Sequence, residues 1–194
     1  MILKGRKGFT LVEMLIVVAI IAILVGITIP VINNQLEKSR RAVDISNVRQ
    51  LESILTYAYL GGQIDFPDKD AAVWIYATDN SVIYRTNGKN KLPIVNGKQG
   101  RDAYNELNKI VNDAGFSDDS LYVHAKQSTN NSDPSKVDGW KWYCVYLKGD
   151  GTYGVTSGAG AAGATFIDSW GNFVSNATFS GCENTALSRI LKGE

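Results

Sequence analysis

Residues 1–30 read MILKGRKGFTLVEMLIVVAIIAILVGITIP, a short basic segment followed by a long apolar run. As an α-helix, the run from Phe9 to Ile29 would span about 31 Å at about 1.5 Å per residue, close to the roughly 30 Å of a bilayer's hydrocarbon core. A secretory signal peptide has a shorter apolar region, followed by small residues at its cleavage site. The sequence therefore predicts a transmembrane helix over residues 9–30.

The charges around this run predict its orientation. Lys4, Arg6 and Lys7 precede it, and positive residues favour the cytoplasmic side of a membrane. The flank that follows the run is also basic, but two acidic residues partly offset it. We therefore expect the N-terminus inside the cell and the rest of the chain outside.

Glu13 is the one carboxylate within the apolar run, where a charge costs about 2.5 to 3.5 kcal/mol on insertion scales. One interpretation is that it lies near enough to the interface to reach water or to be protonated. The other depends on a cut between Gly8 and Phe9, which would place Glu13 one helical turn from a new α-amino group. A buried carboxylate favours a cation, and the amine of a neighbouring subunit would supply one.

Residues 8–13, GFTLVE, resemble the processing motif of type IV pilins and pseudopilins. The resemblance implies that a prepilin peptidase cleaves after Gly8 and methylates the amine of Phe9. It also implies that Glu13 pairs with that amine on an adjacent subunit during filament assembly. Pro30 matches a family proline at which the helix bends or locally melts, and proline does remove a backbone donor and crowd the preceding turn.

Residues 31–60 continue as an amphipathic helix, with apolar residues at three- and four-residue steps. Its charged residues are expected largely on the other faces: Glu37, Lys38, Arg40, Arg41, Asp44, Arg49 and Glu52. Gly61-Gly62 should end the helix with a left-handed cap. The predicted organisation is a leader (1–8), a spine helix (9–60) and an extracytoplasmic head (61–194).

The head shows short extended runs at residues 73–76, 82–84 and 92–95, and Pro93 favours an edge or loop position for the last. A short helix is expected over residues 102–114. The clearest hairpin covers residues 140–155, where apolar and polar residues alternate around a Gly149-Asp150-Gly151 turn. The predicted fold is α+β, with a long N-terminal helix packed on an antiparallel sheet of roughly four strands, as in type IV pilins.

Cys144 and Cys182 both follow the apolar run and so lie on the same side of any membrane. Two thiols in an exported domain predict one disulfide. In the chain-entropy model, closing this loop of about 39 residues would stabilise the fold by roughly 4 kcal/mol.

Other motifs give little support to an enzyme or a nucleic-acid-binding protein. The formal net charge is +1, which makes no electrostatic case for nucleic acid. Residues 158–163, GAGAAG, match a dinucleotide-binding pattern but precede a turn instead of a helix. His124 is the only histidine, which excludes a multi-histidine metal site and predicts a surface or strand position. The tryptophans could form an adhesive surface, but core positions are the better expectation.

Residues 168–172, DSWGN, are similar to a turn near the calcium site of major pseudopilins in type II secretion systems. Carboxylate and amide oxygens suit calcium, but the segment lacks further acidic ligands, so Asp168 is a candidate only and no cofactor is firmly expected. Asp150 and the Asp118-Asp119 pair are weaker candidates in turns.

These features predict a structural subunit of a type IV pilus, with a role in adhesion, motility or aggregation. Its expected partners are further copies of itself, a prepilin peptidase and an inner-membrane assembly machinery. It would occupy the cytoplasmic membrane as a precursor and later the cell-surface pilus. Two alternatives remain open: a pseudopilin of a type II secretion system or DNA-uptake filament, and a membrane-anchored enzyme or binding protein that mimics the leader.

Overall fold

The computed structural model describes residues 8–88, 91–126, 139–158 and 186–193. Its helices are α1 (Leu11–Leu60), α2 (Gly100–Asp113), α3 (Asp118–Leu121) and α4 (Ala186–Lys192). Its strands are β1 (Ile64–Asp65), β2 (Ala72–Ala77), β3 (Val82–Asn87), β4 (Ile94–Val95), β5 (Trp142–Lys148) and β6 (Tyr153–Gly158). The chain divides after Ser39 into two compact units, and α1 contributes residues to both.

The C-terminal end of α1 lies where its two glycines predict it. Gly62 has a φ of 73°, in the left-handed region that glycine adopts without a steric penalty. Its N–H donates to the Tyr59 carbonyl at 3.0 Å, and the Gln63 N–H donates to the Ala58 carbonyl at 2.9 Å. This pair of bonds is a Schellman motif, which satisfies carbonyls that the end of a helix leaves without partners. The helix runs without interruption through Pro30, and a bend at that proline stays a prediction.

The predicted antiparallel sheet is confirmed. Among the described residues, four strands form one antiparallel sheet in the order β3-β2-β5-β6. β5 and β6 are the predicted hairpin, and at its turn the Thr152 N–H donates to Asp150 Oδ1 at 2.8 Å. The run that contains Pro93 yields only the two-residue strand β4, which pairs with β1 outside the larger sheet. The α+β class expected from the sequence is therefore correct.

Alternation along β2 and β5 sends side chains to two different buried layers. One layer is the main core, where Val73, Ile75 and Val145 join Leu51 and Leu55 of α1. The other layer, which we call the aromatic cluster, contains Trp74, Tyr76, Trp142, Cys144 and Tyr146. Strands buried on both faces need apolar or aromatic residues at every position, which explains the continuous composition of β2 and β5.

The tryptophans are core residues where the structure describes them. Trp74, Trp140 and Trp142 are all buried, so for these three the expectation of core positions is confirmed over an adhesive aromatic surface. Trp170 lies outside the described residues.

Glycines on β6 make room for the aromatic cluster. Gly158 pairs with Trp142 across the hairpin, and Gly154 pairs with Tyr146. A Cβ at position 158 would lie 2.5 Å from Cζ2 of the Trp142 indole, well inside van der Waals contact. The ring can therefore lie over the strand only because this position carries no side chain.

Gly158→Val should destabilise the head by roughly 1 to 3 kcal/mol, the usual cost of overpacking. All four tryptophans follow residue 60, so urea unfolding of the full-length protein in non-ionic detergent, followed by tryptophan fluorescence, reports on the head alone. The control is Tyr153→Thr on the same strand, where the side chain is exposed and a change within about 0.5 kcal/mol is expected. Equal stabilities of the two variants would contradict the packing argument.

Candidate functional site

The first unit exposes an apolar helix that has no core of its own. Every residue from Gly8 to Leu36 is exposed. The most apolar 18-residue window of α1 has a mean hydropathy of 3.2 and is 0% buried. By length and composition α1 could therefore cross a membrane, a test that signal sequences and the core helices of soluble proteins also pass. A helix that is apolar all round requires an apolar environment, so this segment is the first candidate functional surface.

The predicted cleavage site is accessible. Gly8 and Phe9 both precede the first residue of α1, and the Phe9 side chain is 79% exposed. A side chain added at Gly8 would meet no atom within 4 Å. The bond between them therefore lies outside regular secondary structure and is open to a protease, although cleavage and methylation themselves stay predictions.

Glu13 closes the N-terminus of α1 in a way that the sequence interpretation missed. The Thr10 backbone N–H and the Thr10 hydroxyl donate to Glu13 Oε2 at 2.7 Å and 2.9 Å. In return, the Glu13 N–H donates to Thr10 Oγ1 at 3.2 Å. This reciprocal arrangement is a capping box. Its signal was present as Thr-x-x-Glu before an apolar run.

The Glu13 carboxylate accepts a hydrogen bond from the N–H of Thr10, the residue that directly follows Phe9. The carboxylate is therefore bound one residue after the position where cleavage would create an amine. A carboxylate near a helix N-terminus is also favoured by the partial positive charge there. Glu13 thus has a role within its own chain, and the predicted pairing with a neighbour's amine must be tested separately from it.

The second unit contains a buried carboxylate that the sequence pattern assigned to a polar face. Asp44 lies on α1 and is 0% exposed, so its expected placement among outward-facing charges is wrong. Its Oδ1 accepts the His124 N–H at 2.8 Å, and its Oδ2 accepts the Ala125 N–H at 3.0 Å and Trp140 Nε1–H at 2.9 Å. Three donors from distant parts of the chain compensate for the burial of this charge.

Further bonds hold the segment 120–125 between α1 and β5. Asn47 on α1 donates to the Ser120 carbonyl at 2.8 Å, and the Tyr143 hydroxyl donates to the Leu121 carbonyl at 2.5 Å. Burial, and next the charge on Asp44, raise the pKa of the Tyr143 hydroxyl, so this group stays a donor at physiological pH. The Asp44 network therefore fixes the C-terminal half of α1 to the head.

The remaining sequence candidates fall in different places. His124 is half-exposed, and its Nδ1 lies 3.1 Å from Asp44 Oδ1. Asp118 accepts the Tyr84 hydroxyl at 2.8 Å. Within the part of the chain that the structure describes, no group of three or more His, Cys, Asp or Glu side chains could hold a metal ion. Cys144 is buried in the aromatic cluster, whereas Cys182 and Asp168 lie outside the described residues, so the disulfide and the calcium site stay predictions.

Comparison with known proteins gives the same part of the chain a family signature. Residues 3–29 match the model of the prokaryotic N-terminal methylation motif. This match contains the predicted cleavage site, the capping box and the whole apolar run from Phe9 to Ile29.

Curated relatives extend the similarity into the second unit. A fimbrial protein of Pseudomonas aeruginosa is 32% identical over 101 residues, which is 50% of this chain and 65% of that protein. A fimbrial protein of Dichelobacter nodosus is 39% identical over 67 residues, which is 34% of this chain and 42% of that protein. The type IV major fimbrial protein FimA of the same organism is 33% identical over 79 residues, which is 41% of this chain and 49% of that protein. The chain thus spans less than two thirds of the length of these relatives, and no solved structure matches it.

Proposed function

Because the N-terminal methylation motif and the fimbrial relatives support a type IV pilin family for this chain, we propose that it is a structural subunit of a pilus filament. A type IV pilin is a structural subunit and not an enzyme. The proposal covers assembly through the N-terminal helix and processing of the precursor between Gly8 and Phe9.

The observation that carries the proposal is the exposed apolar half of α1. Burying one large apolar side chain away from water contributes roughly 1.5 to 3 kcal/mol of favourable free energy. This segment exposes such side chains on all sides. A bilayer would cover the segment in the precursor. In a filament, the same segments from many copies would pack against one another and replace the lipid.

Processing and assembly follow in that order. The basic residues before the apolar run would keep the leader in the cytoplasm. A peptidase that cuts after Gly8 removes those charges and leaves the amine of Phe9 about one helical turn from Glu13. An assembly machinery in the membrane would then move the helix from lipid into the growing bundle, since the two apolar environments are similar and transfer alone provides little driving force.

The direct test is the identity of the protein in filaments that are sheared from the native cells. We expect an abundant species that begins at Phe9 and is one methyl group heavier than the cleaved chain, as measured by intact mass and N-terminal sequencing. The predicted disulfide would make this species two hydrogens lighter than its reduced form. A processed form that stays in the membrane fraction would instead favour a pseudopilin, and an uncut form beginning at Met1 would overturn the proposal.

A Gly8 variant provides a matched control. Gly8→Leu adds a side chain where no atom lies within 4 Å, so the fold of the chain should not change. We expect this variant to stay uncut and to be absent from the sheared fraction. Normal filaments of a Gly8→Leu protein would contradict cleavage at this bond.

A further inference from the structure

A polar groove lies on the head. It has a volume of about 430 Å³, within the range of small-ligand sites. Strand β3 forms one wall and α2 forms the other. The lining residues are Val82, Ile83, Tyr84, Arg85, Arg101, Tyr104, Asn105 and Asn108.

The charged side chains that line the groove are basic. Arg85 and Arg101 both line it, and among the residues that the structure describes no aspartate or glutamate does so. Arg101 is exposed at the first turn of α2. Two guanidinium groups on facing walls suit a carboxylate or a phosphate, because each can donate two parallel hydrogen bonds to such a group.

Arg85 is held in position before any ligand arrives. Its Nη1 donates to the Tyr84 carbonyl at 2.8 Å, and its guanidinium carbon lies 4.8 Å from the centre of the Tyr104 ring. This cation–π contact and the hydrogen bond restrict a side chain that would otherwise have many rotamers. The guanidinium keeps further N–H donors for a ligand, at a reduced cost in conformational entropy.

The α2 wall adds neutral polar groups. Residues 101, 104, 105 and 108 are spaced three and four apart, so they share one face of the helix. Asn105 is exposed and can both donate to and accept from a hydroxyl group. The Asn108 amide donates to Asp118 at 3.4 Å, so this part of the wall lies beside a carboxylate and is not expected to contact an anion.

We propose that this groove binds an anionic saccharide that carries carboxylates, such as a segment of a uronate-containing polysaccharide. The arginines would bind a carboxylate, and the Asn105 amide would bind ring hydroxyls. A nucleic acid fits less well, because single-strand binding uses aromatic rings for base stacking and a longer cationic track, whereas here Arg85 already covers the Tyr104 ring. The inference does not depend on filament formation.

The test uses the full-length protein in non-ionic detergent, with trigalacturonate as the probe and calorimetry as the measurement. We expect saturable binding that weakens with salt and is lost with the methyl ester of the same trisaccharide, which has no carboxylates. Arg85→Gln and Arg101→Gln should each weaken binding roughly 10- to 100-fold, the usual scale for a hydrogen bond to a charged group. Lys109→Gln, which removes the same charge from an exposed α2 residue outside the groove, should leave affinity unchanged.

Several outcomes would overturn the proposal. Equal binding of the acid and its ester would show that the carboxylates are not recognised, and unchanged affinity in both arginine variants would place binding elsewhere. Tighter binding of a single-stranded oligonucleotide would favour a nucleic acid. No saccharide binding, with weaker self-association of the arginine variants, would identify the groove as a contact between subunits. The fluorescence melting temperatures of all variants should match that of the parent, so that a loss of affinity is not a loss of fold.

Discussion

Asp44→Ala is expected to destabilise the head by roughly 3 to 5 kcal/mol, the usual cost of removing one partner from a buried charged pair. The substitution leaves the His124 N–H, the Ala125 N–H and Trp140 Nε1–H without their acceptor. The Ala125 and Trp140 bonds are buried and the His124 bond is part-buried. An unsatisfied buried donor costs about 1 to 3 kcal/mol, so these donors account for the loss even if the site partly relaxes. Urea unfolding followed by tryptophan fluorescence measures this change.

Two companion variants separate the network from a general effect of removing an acid. Asp44→Asn keeps the shape of the side chain but replaces one acceptor oxygen with an NH₂ group, which cannot accept a hydrogen bond. We therefore expect a loss of stability smaller than that of Asp44→Ala. Glu52→Ala removes another acid from the same helix, and burial raises the pKa of the Glu52 carboxyl, so its charged form is disfavoured by folding. We expect a change within about 0.5 kcal/mol there. An Asp44→Ala protein as stable as Glu52→Ala would exclude a structural role for the network.

The sequence predicts the elements better than it predicts the long-range contacts. Helix α1, its glycine cap and the β5–β6 hairpin all depend on local signals, namely residue periodicity and turn residues, and each lies where these signals indicate. Asp44 could not be assigned this way. Its donors lie 80 to 96 residues further along the chain, and the local spacing of charges on α1 contains no information about them.

The candidate sites divide along the same line. The Thr10–Glu13 capping box is a local pattern and could have been predicted. The groove between α2 and β3 could not, since one wall is visible as a helix face in the sequence but the identity of the opposite strand depends on the sheet order. The pairing of Cys144 is also a long-range question, and its predicted partner lies outside the described residues.

The largest expected effect concerns Glu13 and the yield of filaments. In the proposed filament its carboxylate meets a neighbour's amine in an apolar environment, and breaking such a buried pair costs about 3 to 5 kcal/mol per subunit. Since each 1.4 kcal/mol is a factor of ten in an equilibrium constant, Glu13→Ala should lower the yield of sheared filaments roughly a hundredfold or more. Processing should continue largely intact, because the cut precedes the helix and exposes Phe9 in either case.

Two variants distinguish the charge of Glu13 from its role in the capping box. Glu13→Gln keeps an oxygen that can accept the Thr10 N–H, since glutamine also completes a capping box, but it removes the charge. Thr10→Ala keeps the charge and removes the hydroxyl, at a cost of about 1 kcal/mol to the helix end. If pairing with the amine drives assembly, the glutamine variant should be processed yet form almost no filaments, while the alanine variant forms them. The reverse result would show that Glu13 acts by starting the helix and that the amine of Phe9 has another partner.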